Sequence, residues 1–301
     1  MHHKCMLTAA RNRFIYKFYM AQVNKKTINV RGQLIDLSTP LVMGIVNITP
    51  DSFYKESRME SREAVIERVG WMQEDGASLI DIGGYSTRPG AAEVTVTEEI
   101  ERIESIIEPL NKFFPELFIS IDTFRSAVAR KAVEKGAQII NDVSGGDLDV
   151  EMFDLVAKLG VPYILMHMRG TPATMNELTH YDQLIPDVIK ALKLKIEVLR
   201  SKGVADLIID PGYGFSKTAA QNFELIRHMS EFDQLGYPVL AGISRKATIY
   251  KTLSISAAEA LNGTTVLNTL LLEQGASILR VHDVKPAVEA VKLWMATGRM
   301  N

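Results

Sequence analysis

Eight short apolar runs along this sequence end in residues able to carry charge or exchange hydrogen bonds. In chain order these ends are Asn47, Asp81, Asp122, Asn141-Asp142, Met166-His167, Asp210, Ser244-Arg245-Lys246, and Arg280 with His282. Any one of them alone would ordinarily be a helix cap or a structural hydrogen-bonding group. A convergent set that mixes acids and amides with cations is different. It suits a ligand that is polar at one end and anionic at the other. Asp122, Asn141 and Asp210 can together accept and donate several in-plane hydrogen bonds, as a flat aminopyrimidinone ring requires. Lys246 beside them could reach a ring oxygen or nitrogen. Arg280 and His282 are alternate residues of one run, so on a strand both point the same way. A guanidinium and an imidazole aimed together form a clamp for phosphate or diphosphate. A salt bridge to a neighbouring acid is the alternative use of Arg280.

Two stretches add to this set. NITPDSF (47–53) and GGYSTRPG (83–90) combine proline or glycine with hydroxyl and charged side chains, the make-up of loops that close over a site. Either alone could be a simple turn. A GxxxxGK[ST] phosphate loop is absent, and His167, His180 and His228 lack metal-ligand spacing with one another.

Convergence depends on the elements that carry these residues. The apolar runs cover 41–49, 78–84, 117–123, 138–145, 162–168, 206–212, 238–244 and 277–283. Continuous Ile/Val/Leu content suits strands covered on both faces, as in a parallel sheet. Gly76, Gly136, Gly160, Gly203, Gly236 and Gly275 stand shortly before six of the runs, where helices commonly end. EEIERIESIIEPL (98–110) carries Ile100, Ile103, Ile107 and Leu110 at helical spacing, and FRSAVARKAVEKG (124–136) is similar. Eight buried strands with intervening helices fit a (β/α)8 TIM barrel, of about 250 residues, better than a doubly wound open sheet. The strand count and the lack of GxGxxG after the first run decide between them. TINVRGQLIDL (27–37) reads as an N-terminal β-hairpin plugging the barrel floor. No linker marks a second domain, so residues 27–301 are expected to form a single barrel domain.

Composition bounds the function class. Apolar residues make up 47% and charged residues 23%, with a formal charge of −2, which suits a soluble globular protein and gives no pull towards nucleic acid or anionic membrane. The lone Cys5 cannot form an internal disulfide, which favours a reducing cytoplasm. Residues 1–26 carry six cations and no acid and are expected to be a poorly ordered leader, with Met20 an alternative start.

The runs and their exits form recognisable motifs. MGIVNITPDSF (43–53), DIGGYSTRPG (81–90), SIDT (120–123), NDVSGG (141–146), LMHM (165–168), DPGYGFSK (210–217), SRK (244–246) and RVHD (280–283) resemble the successive signatures of the dihydropteroate synthase family, in family order. Each piece is weak alone, and eight in register are strong. The resemblance implies condensation of a dihydropterin diphosphate with 4-aminobenzoate in folate synthesis. It implies a pterin held by Asp122, Asn141, Asp210 and Lys246, with Met166 packing nearby and Arg280 stacking on the ring. The diphosphate would meet Asn47, Arg280 and His282, with Mg²⁺ also contacted by Asn47. Asp51 and Phe53 on the first loop, with Thr87, Arg88 and Pro89 on the second, would close the site. Phe215, Lys246 and the neighbourhood of Ser244 would receive 4-aminobenzoate, for which sulfonamides would compete. The family usually forms homodimers, and the apolar faces of the last helices, with GTTVLNTLLLEQGA (263–276), suit that.

The chain departs from the family pattern at two places. Ala247 stands after SRK where many relatives carry a serine, and the first loop, through YKESRMES (54–61), lacks the customary Asp-Gly-Gly turn. Two rival readings remain: a methyltetrahydrofolate:corrinoid methyltransferase and a catalytically silent pterin-binding homologue. The joint presence of both loops and of STRPG, SRK and RVHD weighs against each.

Overall fold

The computed structural model describes residues 25–48, 58–85 and 94–298. The expected loop residues Asp51, Phe53, Thr87, Arg88 and Pro89 lie outside them, as do residues 1–24 of the expected leader. Lys25 is anchored: its ammonium donates to Asp206 at 2.6 Å and to the Ala205 carbonyl at 3.1 Å.

Strands β1 (Thr27–Val30) and β2 (Gln33–Asp36) form the antiparallel hairpin, turning at Arg31-Gly32. Both turn residues take positive φ, 51° and 86°, as a two-residue hairpin loop demands. The Arg31 guanidinium donates to the carbonyls of Val133 and Ala137, fastening the turn beneath the barrel. There follow β3 (Leu41–Asn47), α1 (Arg58–Glu74), β4 (Leu79–Gly83), α2 (Val96–Phe113), β5 (Phe118–Asp122), α3 (Ser126–Glu134) and β6 (Ile139–Asp142). The chain continues through α4 (Met152–Leu159), β7 (Tyr163–Met166), α5 (Leu184–Ser201), β8 (Leu207–Asp210), α6 (Ala219–Arg227) and β9 (Leu240–Ala241). It ends with α7 (Ala247–Leu253), α8 (Leu261–Glu273), β10 (Ile278–Val281) and α9 (Val284–Ala296). The strands β3–β10 are parallel in the order β8-β7-β6-β5-β4-β3-β10-β9, and a bridge between Ile209 and Val239 brings the two ends together. This is the expected (β/α)8 barrel with its N-terminal hairpin.

Burial on both faces hides a period-two pattern that sorts each strand into layers. Leu79, Ile139, Ile164, Ile208, Leu240 and Ile278 face inward and form a floor cluster with Met43 and with Ile28, Val30, Ile35 and Leu37 of the hairpin segment. Their neighbours Ile80, Ile140, Leu165, Ile209, Ala241 and Leu279 face outward into the core shared with the helices. Two residues beyond the inward floor positions stand Asp81, Asn141, Met166, Asp210 and Arg280. The sequence therefore builds an apolar plug at one end of the lumen and a polar mouth at the other.

The helices supply the outer wall. In α2, Thr95 and Glu98 make a reciprocal capping box, and Ile103, Ile106, Ile107 and Leu110 are buried. All six glycines expected to end helices have positive φ. The strand expected over 238–244 is shorter than its apolar content suggests, since β9 covers only Leu240–Ala241. Pro238 has no N–H to donate, although its carbonyl accepts from Ile209. Beyond Ala241 the chain leaves the ladder and presents Ser244 and Lys246.

The floor packing has a measurable consequence. Ile28 is fully buried beneath the strands, so Ile28→Ala should cost about 2–5 kcal/mol of stability in urea melts. A loss below about 1 kcal/mol would show that the hairpin does not seal the floor.

Candidate active site

The mouth is organised around one guanidinium. Arg280 on β10 donates from Nε to Asp81 at 2.6 Å and from an Nη atom to Asp122 at 2.5 Å. Asn141 donates to the same Asp81 oxygen at 2.8 Å. Side chains from four strands, β10, β4, β5 and β6, thus meet, and β3 lies between β10 and β4 in the sheet. Burial works against the charge on Arg280, but Asp81 and Asp122 outweigh it and hold the side chain firmly protonated. Asp122 is pushed up to about 7 by burial, opposed by Arg280 and reinforced by the Asp81 carboxylate. Near neutral pH it can therefore either donate or accept a hydrogen bond.

On the opposite wall Asp210 ends β8, and its carboxylate accepts from the Gly212 N–H at 2.7 Å. Burial raises its pKa, while the nearby Lys246 opposes the shift. Burial brings Lys246 down to about 8, with Asp210 working the other way. The Lys246 ammonium donates to the Tyr213 carbonyl and stands 4.6 Å from the centre of the Phe215 ring. Phe215 packs beside an apolar patch of Val143, Met166, Met168 and Met175. A polar wall and an aromatic wall therefore face one mouth, with Lys246 between them.

The turn after β8 is held from below by Lys217. This ammonium is buried and donates to the carbonyls of Gly212 and Phe215, both at 3.1 Å, and contacts His167 Nδ1 at 3.0 Å. Burial lowers Lys217 to about 7 and His167 to about 2, so His167 is neutral. Gly212 is a required glycine: its φ is +76° and a Cβ there would lie 2.0 Å from the His167 carbonyl oxygen.

Ser244 and His282 form a pair. The Ser244 hydroxyl accepts from the His282 N–H at 3.2 Å and lies 3.0 Å from Nδ1. The hydroxyl keeps its own proton for Nδ1 when the ring proton is on Nε2. Between Ser244 and Lys246, Arg245 adopts a left-handed φ of 52°. Its guanidinium is engaged by both oxygens of Asp283 and by the carbonyls of Ala257 and Ala258. Arg245 therefore sets the course of the loop and has no fork free for a ligand.

The structure brings Asp122, Asn141, Met166, Asp210, Phe215, Lys246 and Arg280 to one mouth, with Ser244 and His282 at its edge. Asn47 is exposed at the end of β3, with its amide oxygen 3.4 Å from where a Cβ on Gly83 would stand. At His282, burial first and then the neighbouring Arg280 lower the pKa to about 4. Asp142 faces away from the lumen, where it accepts from Ser144, Gly146 and Tyr163. Sequence reasoning gave no role to Asp81 or Lys217. The inward alternation Leu79-Asp81-Gly83 was the available signal for the first.

A match to the description "Pterin binding enzyme" covers residues 43–282, from within β3 to the residue after β10. The chain is 39% identical over 269 residues to the dihydropteroate synthase of Escherichia coli (strain K12), covering 89% of this chain and 95% of that one. This chain belongs to the dihydropteroate synthase family of pterin-binding enzymes. Among solved structures, the Xanthomonas albilineans dihydropteroate synthase with 4-aminobenzoic acid superposes with a TM-score of 0.84 at 39% identity, covering 92% of this chain and 99% of that one. The same organism's dihydropteroate synthase in complex with 7,8-dihydropteroate gives a TM-score of 0.80 at 35% identity, covering 92% and 100%.

The neutrality of His282 is open to direct measurement. Its folded pKa of about 4 lies below the ordinary 6.5. As pH falls through that window, the unfolded chain takes up a proton that the folded chain refuses, so stability is lost. The His282 imidazole should stay neutral in NMR titrations down to about pH 4. His282→Gln should make the fall in stability across the same window shallower. A His282 that titrates near its ordinary value would contradict the burial described.

Proposed function

We propose that this chain condenses 6-hydroxymethyl-7,8-dihydropterin diphosphate with 4-aminobenzoate, releasing diphosphate and 7,8-dihydropteroate. Membership of the family supports the reaction. The single observation that carries the residue assignments is the Asp81–Arg280–Asp122 cluster facing Asp210 and Lys246 across the mouth. The pterin ring lies against Asp122, Asn141, Asp210 and Lys246, whose donors and acceptors match an aminopyrimidinone edge. Met166 packs beneath it and Arg280 covers its face. Asp122, able to exchange a proton near neutral pH, suits a ring that presents both donors and acceptors.

An arylamine is a weak nucleophile, so departure of the diphosphate leads. Arg280 stabilises the charge gathering on the leaving group, and neutral His282 adds a hydrogen bond from Nε2. The dihydropterin shares the positive charge left on its methylene carbon, and the Asp122 and Asp210 carboxylates assist it from nearby. The C–O bond to diphosphate breaks, the C–N bond to 4-aminobenzoate forms, and the amine loses a proton. No strong general base is required. 4-Aminobenzoate enters beside Phe215 and Lys246, with Ser244 close to the same edge. Ala247 brings no hydroxyl there, so its carboxylate is held without one from that position.

Among the described residues, no cluster of three His, Cys, Asp or Glu could hold a metal. The donor set fits Mg²⁺ only as an ion that arrives with the diphosphate, with Asn47 supplying one neutral oxygen and phosphate oxygens most of the rest. When bound, it supplies charge neutralisation at the diphosphate. Exposed Val266 and Leu270 on α8 and Leu293 on α9 support a homodimer. The substrates are small polar molecules, and no helix among the described residues is long and apolar enough to cross a membrane. With the single cysteine, this supports a cytoplasmic enzyme.

The test mixes purified protein, dihydropterin diphosphate, 4-aminobenzoate and Mg²⁺ and follows dihydropteroate and diphosphate by mass spectrometry. Product should form, and Arg280→Ala should lower kcat about a hundred- to thousandfold. Pterin binding without product would sink the reaction. An Arg280→Ala variant as fast as the parent would sink the role of the guanidinium.

A further inference from the structure

Lys217 is a buried cation with no carboxylate in contact among the described residues, an arrangement that is costly unless every donor is matched. Here all three are matched. Two go to the carbonyls of Gly212 and Phe215 at the two ends of one turn, and the third goes to His167 at the exit of β7. The turn itself is tight, with the Phe215 N–H donating back to the Gly212 carbonyl at 3.2 Å. Ser216, next to the lysine, is held at a left-handed φ of 47°. The strained residue is gripped from both sides: its hydroxyl accepts from the Arg169 N–H at 3.0 Å, and its carbonyl accepts from the Tyr181 hydroxyl at 3.1 Å. Strain of this kind persists only where surrounding contacts over-determine it.

The turn carries Phe215 and the Tyr213 carbonyl on its upper side, and both meet Lys246. Two lysines therefore grip one turn from opposite sides. Lys246 is in the mouth, and Lys217 is buried with its donors spent on the Gly212 and Phe215 carbonyls and on His167. We infer that Lys217, seated on His167, is a positioning residue that fixes the Phe215 ring and thereby the pocket for the second substrate. The inference rests on the proposal that 4-aminobenzoate enters beside Phe215. The lysine touches neither reactant. It acts on the arylamine pocket and leaves Asp122, Asn141 and Arg280 on β5, β6 and β10 in place, while Asp210 meets the turn through the Gly212 N–H.

Steady-state kinetics and equilibrium binding of the pterin diphosphate would be measured for Phe215→Ala, Lys217→Met, His167→Leu and His167→Asn, each checked by thermal melting. Lys217→Met and His167→Leu should raise KM for 4-aminobenzoate about tenfold or more, since small misplacements near a reacting pair are costly. Pterin diphosphate affinity should stay within about threefold of the parent for both. His167→Asn keeps an acceptor close to the Nδ1 position and should restore KM towards the parent value. If Lys217→Met does not fold, the two His167 variants decide the matter by the same criterion. Unchanged KM in folded Lys217→Met or His167→Leu, with Phe215→Ala impaired, overturns the positioning role alone. Equal losses of pterin affinity and aminobenzoate KM overturn it too, because they indicate general damage. An unaffected Phe215→Ala places the second substrate elsewhere and overturns both the pocket assignment and this inference.

Discussion

Arg280 held between Asp81 and Asp122 is the interaction on which the mouth depends. Its formation needs three strands in fixed register. Arg280 pairs in register with Met43, and Met43 with Leu79. Asp81 is two residues further along β4. The arginine side chain reaches across β3 to its acids, and the stagger of the closed barrel accompanies that offset. A one-residue slip of β10 would turn Arg280 outward into the helical core and put Leu279 or Val281 in the lumen.

Such a cluster does little for stability. Removing charges from water costs about as much as their attraction returns, so a buried pair is weak evidence for a stable fold. The stability comes from the two apolar layers, one between strands and helices and the other between strands and hairpin. They support a mouth with three acids, Asp81, Asp122 and Asp210, against two cations, Arg280 and Lys246, while His282 stays neutral. Burial raises the Asp122 pKa against the pull of Arg280, which eases the crowding of acids at this mouth. The non-glycine residues Ser216 and Arg245, both at positive φ, sit on the two loops that edge this mouth. They mark where the scaffold holds the chain in unfavourable conformations to aim Phe215, Ser244 and Lys246.

Much of this was legible because parallel barrels deliver strand ends to one rim. Asp122, Asn141, Asp210, Lys246 and Arg280 could be grouped without any contact being known. The motifs extend that grouping to a family. What the sequence leaves hidden depends on facing, burial and distant partners. Asn141 and Asp142 are adjacent and look equivalent, yet alternation sends one into the lumen and the other behind it. His282 looks like a cation until its burial and the neighbouring Arg280 are counted. Lys217 is bound by carbonyls and by a histidine fifty positions away in the chain, and neither kind of partner has a residue signature. Pro238 at the start of the run has no N–H for the ladder, and the chain leaves it again after Ala241 despite the apolar content.

The most direct test of the account is a double-mutant cycle on Asp81 and Arg280, read as kcat/KM for dihydropterin diphosphate. The single variants Asp81→Asn and Arg280→Gln and the double variant would be compared after circular dichroism confirms folding. If Asp81 acts by holding Arg280, the double variant should be no slower than Arg280→Gln alone, giving a coupling of about 1 kcal/mol or more. Losses that simply add would contradict the account, because the two residues would then serve the substrate independently.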